Sequence, residues 1–132
     1  MTESILILAA HPDDDILGCG GTIARFSREG KKIHVAFLAD GVFSRGTSQK
    51  KLKDELKARR KAAAAALSIL GVDSVSFNDF PDNRMDSVPL LDIAQAIEVL
   101  ISKYAPSTVF THNATDVNID HQRVHDATVV AC

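Results

Sequence analysis

The sequence predicts an α/β fold in which a doubly wound parallel sheet carries helices on both faces. Three observations support this prediction. Short apolar runs alternate with longer helical segments along the chain, as expected where helical crossovers join parallel strands. The first run, at residues 5–9, is too short for a helix and rich in Ile and Leu, which is typical of a strand buried on both faces. Two polar stretches, at residues 11–15 and 112–121, directly follow the first and the last of these runs.

Four strands and four helices are expected, each strand being a short apolar run bounded by polar or turn residues. The strands are predicted at residues 5–9, 31–38, 72–77 and 107–111. The helices are predicted at residues 22–30, 51–70, 89–104 and 121–132. In the strand order 3-2-1-4 of a Rossmann-like sheet, the winding reverses between the first and fourth strands. Ligands bind at such a switch point, so we expect the two polar stretches to converge there.

Glycines set the ends of the first two predicted helices. Residues 18–21 are expected to form a tight turn, after which the first helix begins at Thr22 and ends at Gly30. The second helix contains an alanine run and ends at Gly71. The last helix has no Gly or Pro to end it before Cys132. Since doubly wound domains usually carry about five or six strands, the sequence predicts that the C-terminal part of the usual fold is missing.

The composition is ordinary for a soluble globular chain and predicts one domain, residues 1–132. Apolar residues make up 45% and charged residues 24% of the chain, which suffices for a buried core. The formal net charge of −2 and the absence of Trp argue against a nucleic-acid binder. Basic residues do cluster at positions 50–61, but acidic residues interrupt them, which favours the solvated face of a helix.

The cysteines and the chain start exclude other classes. Cys19 and Cys132 form neither a disulfide framework nor a CxxC site. The first residues lack the basic region of a signal peptide, and no apolar stretch approaches the ~18 residues of a membrane span. We therefore expect a cytoplasmic protein with no membrane span.

A metal site is predicted at the end of the first strand, where His11 is followed by the acids at 13–15. Zinc binds imidazole nitrogen together with carboxylate oxygen, and a catalytic zinc takes three protein ligands and leaves one position open. His11 and Asp14 supply two ligands, and the third comes from the loop after the fourth strand. The candidates for that third ligand are His112, His121 and His125. The helix lacks the Glu of an HExxH motif, so Asp13 is the better candidate for a general base.

Structural interpretations compete at several of these positions. Asp15 is equally well explained as a helix N-cap, and His34, in the middle of a predicted strand, as a packed side chain. Asp116, Asn118 and Asp120 are typical of Asx turns. Cys19 is best explained as a small packed residue.

Several segments together resemble the PIG-L/LmbE-like zinc N-deacetylases. Residues 11–22 are similar to the AHPDDExxGxGGT signature, and residues 116–121 to a second motif of the form DxNxDH or HPDH. Arg59 and Arg60, followed by the Leu-Gly-Val sequence at 70–72, resemble the family's RRxEAxxAAxxLGV helix, and residues 80–82 its turn after the third strand. The resemblance covers essentially all 132 residues. Two departures are Asp15, where the family usually has Glu, and Asn118, where the HPDH form has His.

The resemblance implies an enzyme that removes the acetyl group from an N-acetylglucosamine-containing conjugate. It implies that His11, Asp14 and His121 bind zinc (Zn2+), that Asp13 is the general base, and that Asp120 orients His121 or a neighbouring group. Asn118 stands where the HPDH form has a His that stabilises the oxyanion, so that role would fall to His112 or to a His of the missing C-terminal part. Substrate contacts are expected from Arg45, Arg60 and Asp82, on rims near the site. A homo-oligomer is compatible with the resemblance, and an uncovered sheet edge would favour self-association.

Two other functions compete with the deacetylase. A magnesium-dependent phosphoryl hydrolase would use Asp13 and Asp14 as metal ligands, but the imidazoles of His11 and His121 favour zinc over magnesium. A non-catalytic assembly module would keep the metal site without the substrate pocket, and the missing C-terminal part supports this alternative.

Overall fold

A computed structural model describes residues 2–40 and 48–132, and within them four strands form one parallel sheet. The strands are β1 (Ser4–Ala9), β2 (Lys32–Ala39), β3 (Ser74–Phe80) and β4 (Thr108–Phe110). Their order is β3-β2-β1-β4, and each neighbouring pair is parallel. The predicted α/β fold and strand order are therefore confirmed, and the switch point lies between β1 and β4.

Four helices connect and follow these strands. They are α1 (Asp14–Arg28), α2 (Gln49–Ile69), α3 (Leu90–Tyr104) and α4 (Ile119–Ala131). A short 3-10 turn at Met85–Ser87 precedes α3. Among the residues that the structure describes, no helix combines the length and the apolar character needed to cross a membrane.

The core consists of two layers, one on each face of the sheet. Successive side chains of a strand point to opposite faces, so Ile5 and Ile7 of β1 face one way while Leu6 and Leu8 face the other. The first face packs against α1 and α2, and the second against α3 and α4. Burial on both faces explains why β1 is continuously apolar rather than alternating.

The predicted tight turn at residues 18–21 is wrong, because α1 begins at Asp14 and runs through the glycines. The helix is kinked at Cys19, where φ is −144° and ψ is 25°. Two carboxylates in the first turn, Asp14 and Asp15, interact favourably with the positive end of the helix dipole. A helical glycine costs only ~1 kcal/mol relative to alanine, which packing of the rest of the helix outweighs.

Two smaller expectations have clear outcomes. The N-cap position of α1 is Asp13, so the N-cap explanation of Asp15 is wrong, and Asp15 lies buried in the first turn instead. His34 is packed as expected, stacked on Tyr104 at 3.9 Å between ring centroids and hydrogen-bonded through Nδ1 to Ser74 Oγ at 2.7 Å.

Candidate metal centre

Three side chains from distant parts of the sequence meet at the switch point between β1 and β4. His11 lies in the loop after β1, Asp14 is the first residue of α1, and His121 lies in the first turn of α4. Asp14 Oδ2 is 3.2 Å from His11 Nδ1 and 3.0 Å from His121 Nε2. The two nitrogens are 3.3 Å apart. The three donor atoms thus form a nearly equilateral triangle.

This triangle fits a tetrahedral zinc ion. Zinc–nitrogen and zinc–oxygen bonds of ~2.0–2.1 Å at tetrahedral angles place neighbouring ligand atoms about 3.3 Å apart. Two imidazole nitrogens and one carboxylate oxygen form a donor set that zinc accepts, and three protein ligands leave the fourth position open. All three residues are partly exposed, so this fourth position is accessible to water and to a substrate.

An acidic residue orients each imidazole. His11 Nε2–H donates to Asp120 Oδ2 at 2.8 Å, and His121 Nδ1–H donates to Asp116 Oδ2 at 2.8 Å. Each ring thereby directs its other nitrogen into the triangle, the position from which it would bind a metal. Such carboxylate–histidine pairs fix the tautomer of metal ligands and raise their basicity.

The electrostatic environment of His11 favours a positive charge at this point. Burial by itself would lower the pKa of His11, but hydrogen bonds to Asp120, Asp14 and Asp82 outweigh it and raise the pKa to about 11. Burial likewise opposes ionisation of Asp14, but its hydrogen bonds with His11 lower the pKa of the carboxyl. The acids that stabilise imidazolium in the absence of a metal would also stabilise a bound cation.

The turn after β3 holds Asp120 in place. The side chain of Asp120 is 0% exposed, and its two oxygens accept the backbone N–H groups of Asn83 at 2.6 Å and Met85 at 3.0 Å. Asn83 has a left-handed φ of 56°, which sets the course of the turn and so the position of Met85 N–H relative to Asn83 N–H. The turn therefore acts on His11 through Asp120.

Among the residues that the structure describes, two other groups of side chains have ligand atoms close enough for a metal, but their geometry is less suitable. One contains His112, Asp116 and His121. The rings of His112 and His121 are stacked, with centroids 3.8 Å apart and planes inclined by 13°, so one ion cannot lie in both ring planes, where the nitrogen lone pairs point. The other contains His11, Asp82 and Asp120, and its two carboxylates are 5% and 0% exposed, which leaves no accessible position.

The predicted catalytic residues lie around the triangle in different roles. The side chain of Asp13 is 51% exposed, with Oδ2 3.8 Å from Arg59 Nη2. His112 Nε2 accepts the backbone N–H of Ala10 at 2.9 Å. Burial and the neighbouring His121 lower the pKa of His112 to about 4. His112 is therefore a neutral imidazole with its proton on Nδ1.

Asn118 caps α4, since its Oδ1 accepts the backbone N–H groups of Asp120 at 2.9 Å and His121 at 3.3 Å. The remaining candidate for a third ligand, His125, lies one turn further along α4. Its Nδ1–H donates to the backbone carbonyl of His112 at 2.8 Å, so His125 supports the loop while His121 belongs to the triangle.

The three predicted substrate contacts have different outcomes. Arg45 lies outside the described residues. Arg60 is half-buried, ion-paired with Asp79, and donates to the backbone carbonyl of Asn78 at 3.2 Å. Asp82 is not on a solvent-facing rim: it is buried, with Oδ1 3.2 Å from His11 Nε2. The predicted position of Asp82 on a substrate-contacting rim is therefore corrected to a buried position beside the His11 ring.

Sequence reasoning missed the role of Asp116 toward His121. The predicted Asx turn is confirmed, because the Asn118 backbone N–H donates to Asp116 Oδ1 at 2.9 Å. The second oxygen of the same carboxylate binds His121, and both interactions lower the pKa of Asp116. A carboxylate that precedes a ligand histidine at a helix start, with one oxygen left over from a turn, is the signal that could have identified it.

Comparisons with known proteins find one family and several solved structures. A family model described as PIG-L, GlcNAc-PI de-N-acetylase, matches residues 6–132. The protein YaiS of Escherichia coli (strain K12), described as an uncharacterized deacetylase, is 33% identical over 135 residues, which cover 98% of this chain and 68% of YaiS. The 4-oxalmesaconate hydratase of Pseudomonas putida is 35% identical over 132 residues, which cover 90% of this chain and 47% of the hydratase.

Among solved structures, the N,N'-diacetylchitobiose deacetylase of Pyrococcus horikoshii superposes with a TM-score of 0.87 at 22% sequence identity. The superposition covers 98% of this chain and 49% of the deacetylase, and at this level of identity it shows a shared fold. The chain thus spans about two thirds of YaiS and about half of the other two proteins.

Proposed function

This chain belongs to the PIG-L family of GlcNAc-PI de-N-acetylases, and from this premise we propose that it is a zinc-dependent amide hydrolase. Its substrate is a conjugate of N-acetylglucosamine, from which it releases acetate and leaves a free amine. The observation that carries the proposal is the triangle of His11 Nδ1, Asp14 Oδ2 and His121 Nε2. Its dimensions and its open fourth position suit a catalytic rather than a structural zinc.

A bound zinc ion supplies Lewis-acid polarisation of the amide carbonyl and lowers the pKa of a coordinated water. Asp13 takes the proton of the attacking water and returns it to the departing amine. The exposure of its carboxylate, one residue before the ligand Asp14, supports this role. Arg59 Nη2 lies 3.8 Å from Asp13 Oδ2 and places a cationic side chain beside this carboxyl group.

We assign to His112 the stabilisation of the oxyanion that develops on the carbonyl oxygen. Its Nε2 already accepts the N–H of Ala10, so Nδ1–H remains as a donor that carries no positive charge. A neutral imidazole can act as the electrophile at a carbonyl oxygen, as it does in triosephosphate isomerase. The side-chain amide of Asn118 is the alternative donor, since only its oxygen is used by the helix cap.

Two arginine side chains are proposed to contact the substrate. Arg60 lies 5.1 Å above the ring of Phe77 and is held there by its ion pair with Asp79. We keep Arg60 and Arg45 as proposed contacts to the conjugate. Asp82 is instead assigned to the environment of His11, where it adds negative charge next to the ring N–H.

A second candidate reaction is addition of water to a carbon–carbon double bond. It is favoured by the sequence identity to the Pseudomonas putida hydratase, which is as high as that to YaiS. The two reactions differ in their products, since only amide hydrolysis releases acetate and a primary amine.

The proposal is tested by zinc analysis and acetate release on protein purified without chelator. Wild type should hold about one zinc per chain and release acetate from an N-acetylglucosamine conjugate. We expect Asp13→Asn to keep the zinc and lose at least ~100-fold in kcat, whereas His121→Ala should lose the zinc as well. Asp126 is an exposed acid on α4, the helix that carries His121. Asp126→Asn is therefore the matched control and should behave as wild type.

Two results would contradict the proposal. Equal acetate release by wild type and Asp13→Asn would contradict the assignment of Asp13 as the general base. A zinc-loaded wild type that adds water to an unsaturated acid but releases no acetate would favour the hydratase.

A further inference from the structure

A cavity of about 270 Å³ lies between the first turns of α1 and the end of β4. Much of its wall is apolar, with contributions from Ile7, Gly18, Cys19 and Phe110. Asp15 also lines the cavity, but its side chain is only 2% exposed. The wall therefore offers mainly hydrocarbon surface to an occupant.

This cavity adjoins the metal centre. Asp14, whose Oδ2 belongs to the donor triangle, forms part of its wall, and so does His112. The same two side chains are 3.7 Å apart between Asp14 Oδ2 and His112 Nε2. The cavity therefore borders the donor triangle at Asp14, and an amide bound at the triangle would lie beside the cavity.

The volume of the cavity exceeds what an acetyl group requires. A methyl group is close in size to a water molecule, which occupies ~30 Å³, so an acetyl methyl would leave most of the 270 Å³ unfilled. Burial of each further methylene in an apolar wall contributes roughly a fourfold gain in affinity. A hydrocarbon chain of several carbons is the occupant that gains most from such a wall.

We propose that this cavity is a subsite for the acyl group, and that the chain hydrolyses, besides N-acetyl, N-acyl amino sugars whose acyl group is longer than acetyl. The inference rests on the proposed function, because it assigns the substrate class of the same site. In the reaction, water adds to the acyl carbonyl carbon and the carbon–nitrogen bond breaks. The acyl chain leaves as a carboxylate, and the amine leaves with the proton that the general base carried.

Two glycines of α1 provide a variant and its matched control. A Cβ atom added at Gly18 or at Gly21 would meet no atom within 4 Å, so a larger side chain is accommodated at either position. Gly18 lines the cavity, whereas Gly21 lies outside its wall on the same helix. Gly18→Leu should narrow the cavity, and Gly21→Leu should leave it unchanged.

The experiment measures binding of hexanoate and acetate to the zinc-loaded full chain by calorimetry, together with hydrolysis of N-hexanoyl- and N-acetylglucosamine. In wild type and Gly21→Leu, we expect hexanoate to bind at least ~10-fold more tightly than acetate. In Gly18→Leu this preference should fall to within about twofold, and the ratio of kcat/KM between the two amides should fall in parallel. Thermal unfolding of the variants checks that they fold.

The outcomes separate the two proposals. Hexanoate that binds no more tightly than acetate in wild type would overturn the acyl subsite, whatever the hydrolysis assay gives. Tight hexanoate binding that is insensitive to Gly18→Leu in a folded variant would place the subsite elsewhere and would also overturn it. Hexanoate preference without hydrolysis of either amide would keep the subsite and overturn the proposed hydrolase.

Discussion

At the scale of single residues, each of the two candidate histidine ligands presents one ring nitrogen to the site, because an acid binds the other nitrogen. Asp120 selects Nδ1 of His11 as the ligand atom, and Asp116 selects Nε2 of His121. The two acids differ in their own support: Asp120 is buried and bound by two backbone N–H groups, whereas Asp116 is partly exposed. Loss of Asp116 should therefore be tolerated by the fold and should affect mainly the metal.

Asp116→Asn should weaken zinc binding by about 10–100-fold, because the amide does not fix the tautomer and orientation of His121 as a carboxylate does. The measurement is competition of the purified protein against a chelator of known zinc affinity. The exposed Asp126→Asn on α4 serves as the control for loss of one negative charge. Equal affinities in the two variants would show that Asp116 does not act on His121.

His34 provides a pH dependence away from the metal centre. Burial lowers the pKa of His34 below its ordinary value of 6.5, so the unfolded chain takes up a proton at a higher pH than the folded chain. The stability due to neutral His34 is thus fully present above pH 6.5 and falls as the pH drops below that value. Urea unfolding of wild type and His34→Gln between pH 7 and 5 should show a steeper loss in wild type. Parallel curves would contradict this assignment.

At the scale of elements, the turn between β3 and α3 connects the sheet to the metal centre. Its geometry depends on the left-handed φ of Asn83, which β-branched residues rarely adopt. Asn83→Val should lower the free energy of unfolding by about 1–3 kcal/mol. It should also weaken zinc binding, because a changed φ would move the following N–H group of Met85 away from Asp120. Asn83→Gly accepts this φ and should retain wild-type zinc affinity.

Urea unfolding and zinc competition on both variants test this role of the turn. A valine variant that is destabilised but binds zinc like wild type would separate the turn from the metal centre. The same result in the glycine and valine variants would show that φ at this position is not the cause.

The elements also show where prediction from sequence succeeds and fails. β1 was predictable because burial on both faces leaves a continuous apolar run. The start of α1 was not, because the glycines at 18–21 are typical of a turn, whereas the helix passes them with only a kink at Cys19. The predicted position of Asp82 was wrong for a related reason, because nothing in its local sequence shows that the turn folds against His11.

At the scale of the whole molecule, strand order brings the site together. His11 and His121 are 110 positions apart, yet both follow strands that are neighbours in the sheet. The convergence of the two polar stretches was therefore predictable from the alternation of strands and helices alone. The choice of ligand among His112, His121 and His125 was not, because it depends on ring orientation, which the hydrogen bonds to Asp116 and to backbone groups decide.

Because the candidate ligands lie in the loop after β1, in α1 and in α4, a bound ion would connect the first and last described elements. Its removal should therefore lower the stability of the whole fold. Only the folded chain assembles the triangle, so zinc at 1,000 times its dissociation constant should contribute about 4 kcal/mol. For a chain of this size that corresponds to an increase in Tm on the order of 10 °C. Calorimetry with zinc and after dialysis against chelator measures the shift, and His121→Ala should show none. An unchanged Tm in wild type, or an equal shift in His121→Ala, would mean that zinc does not bind at the triangle.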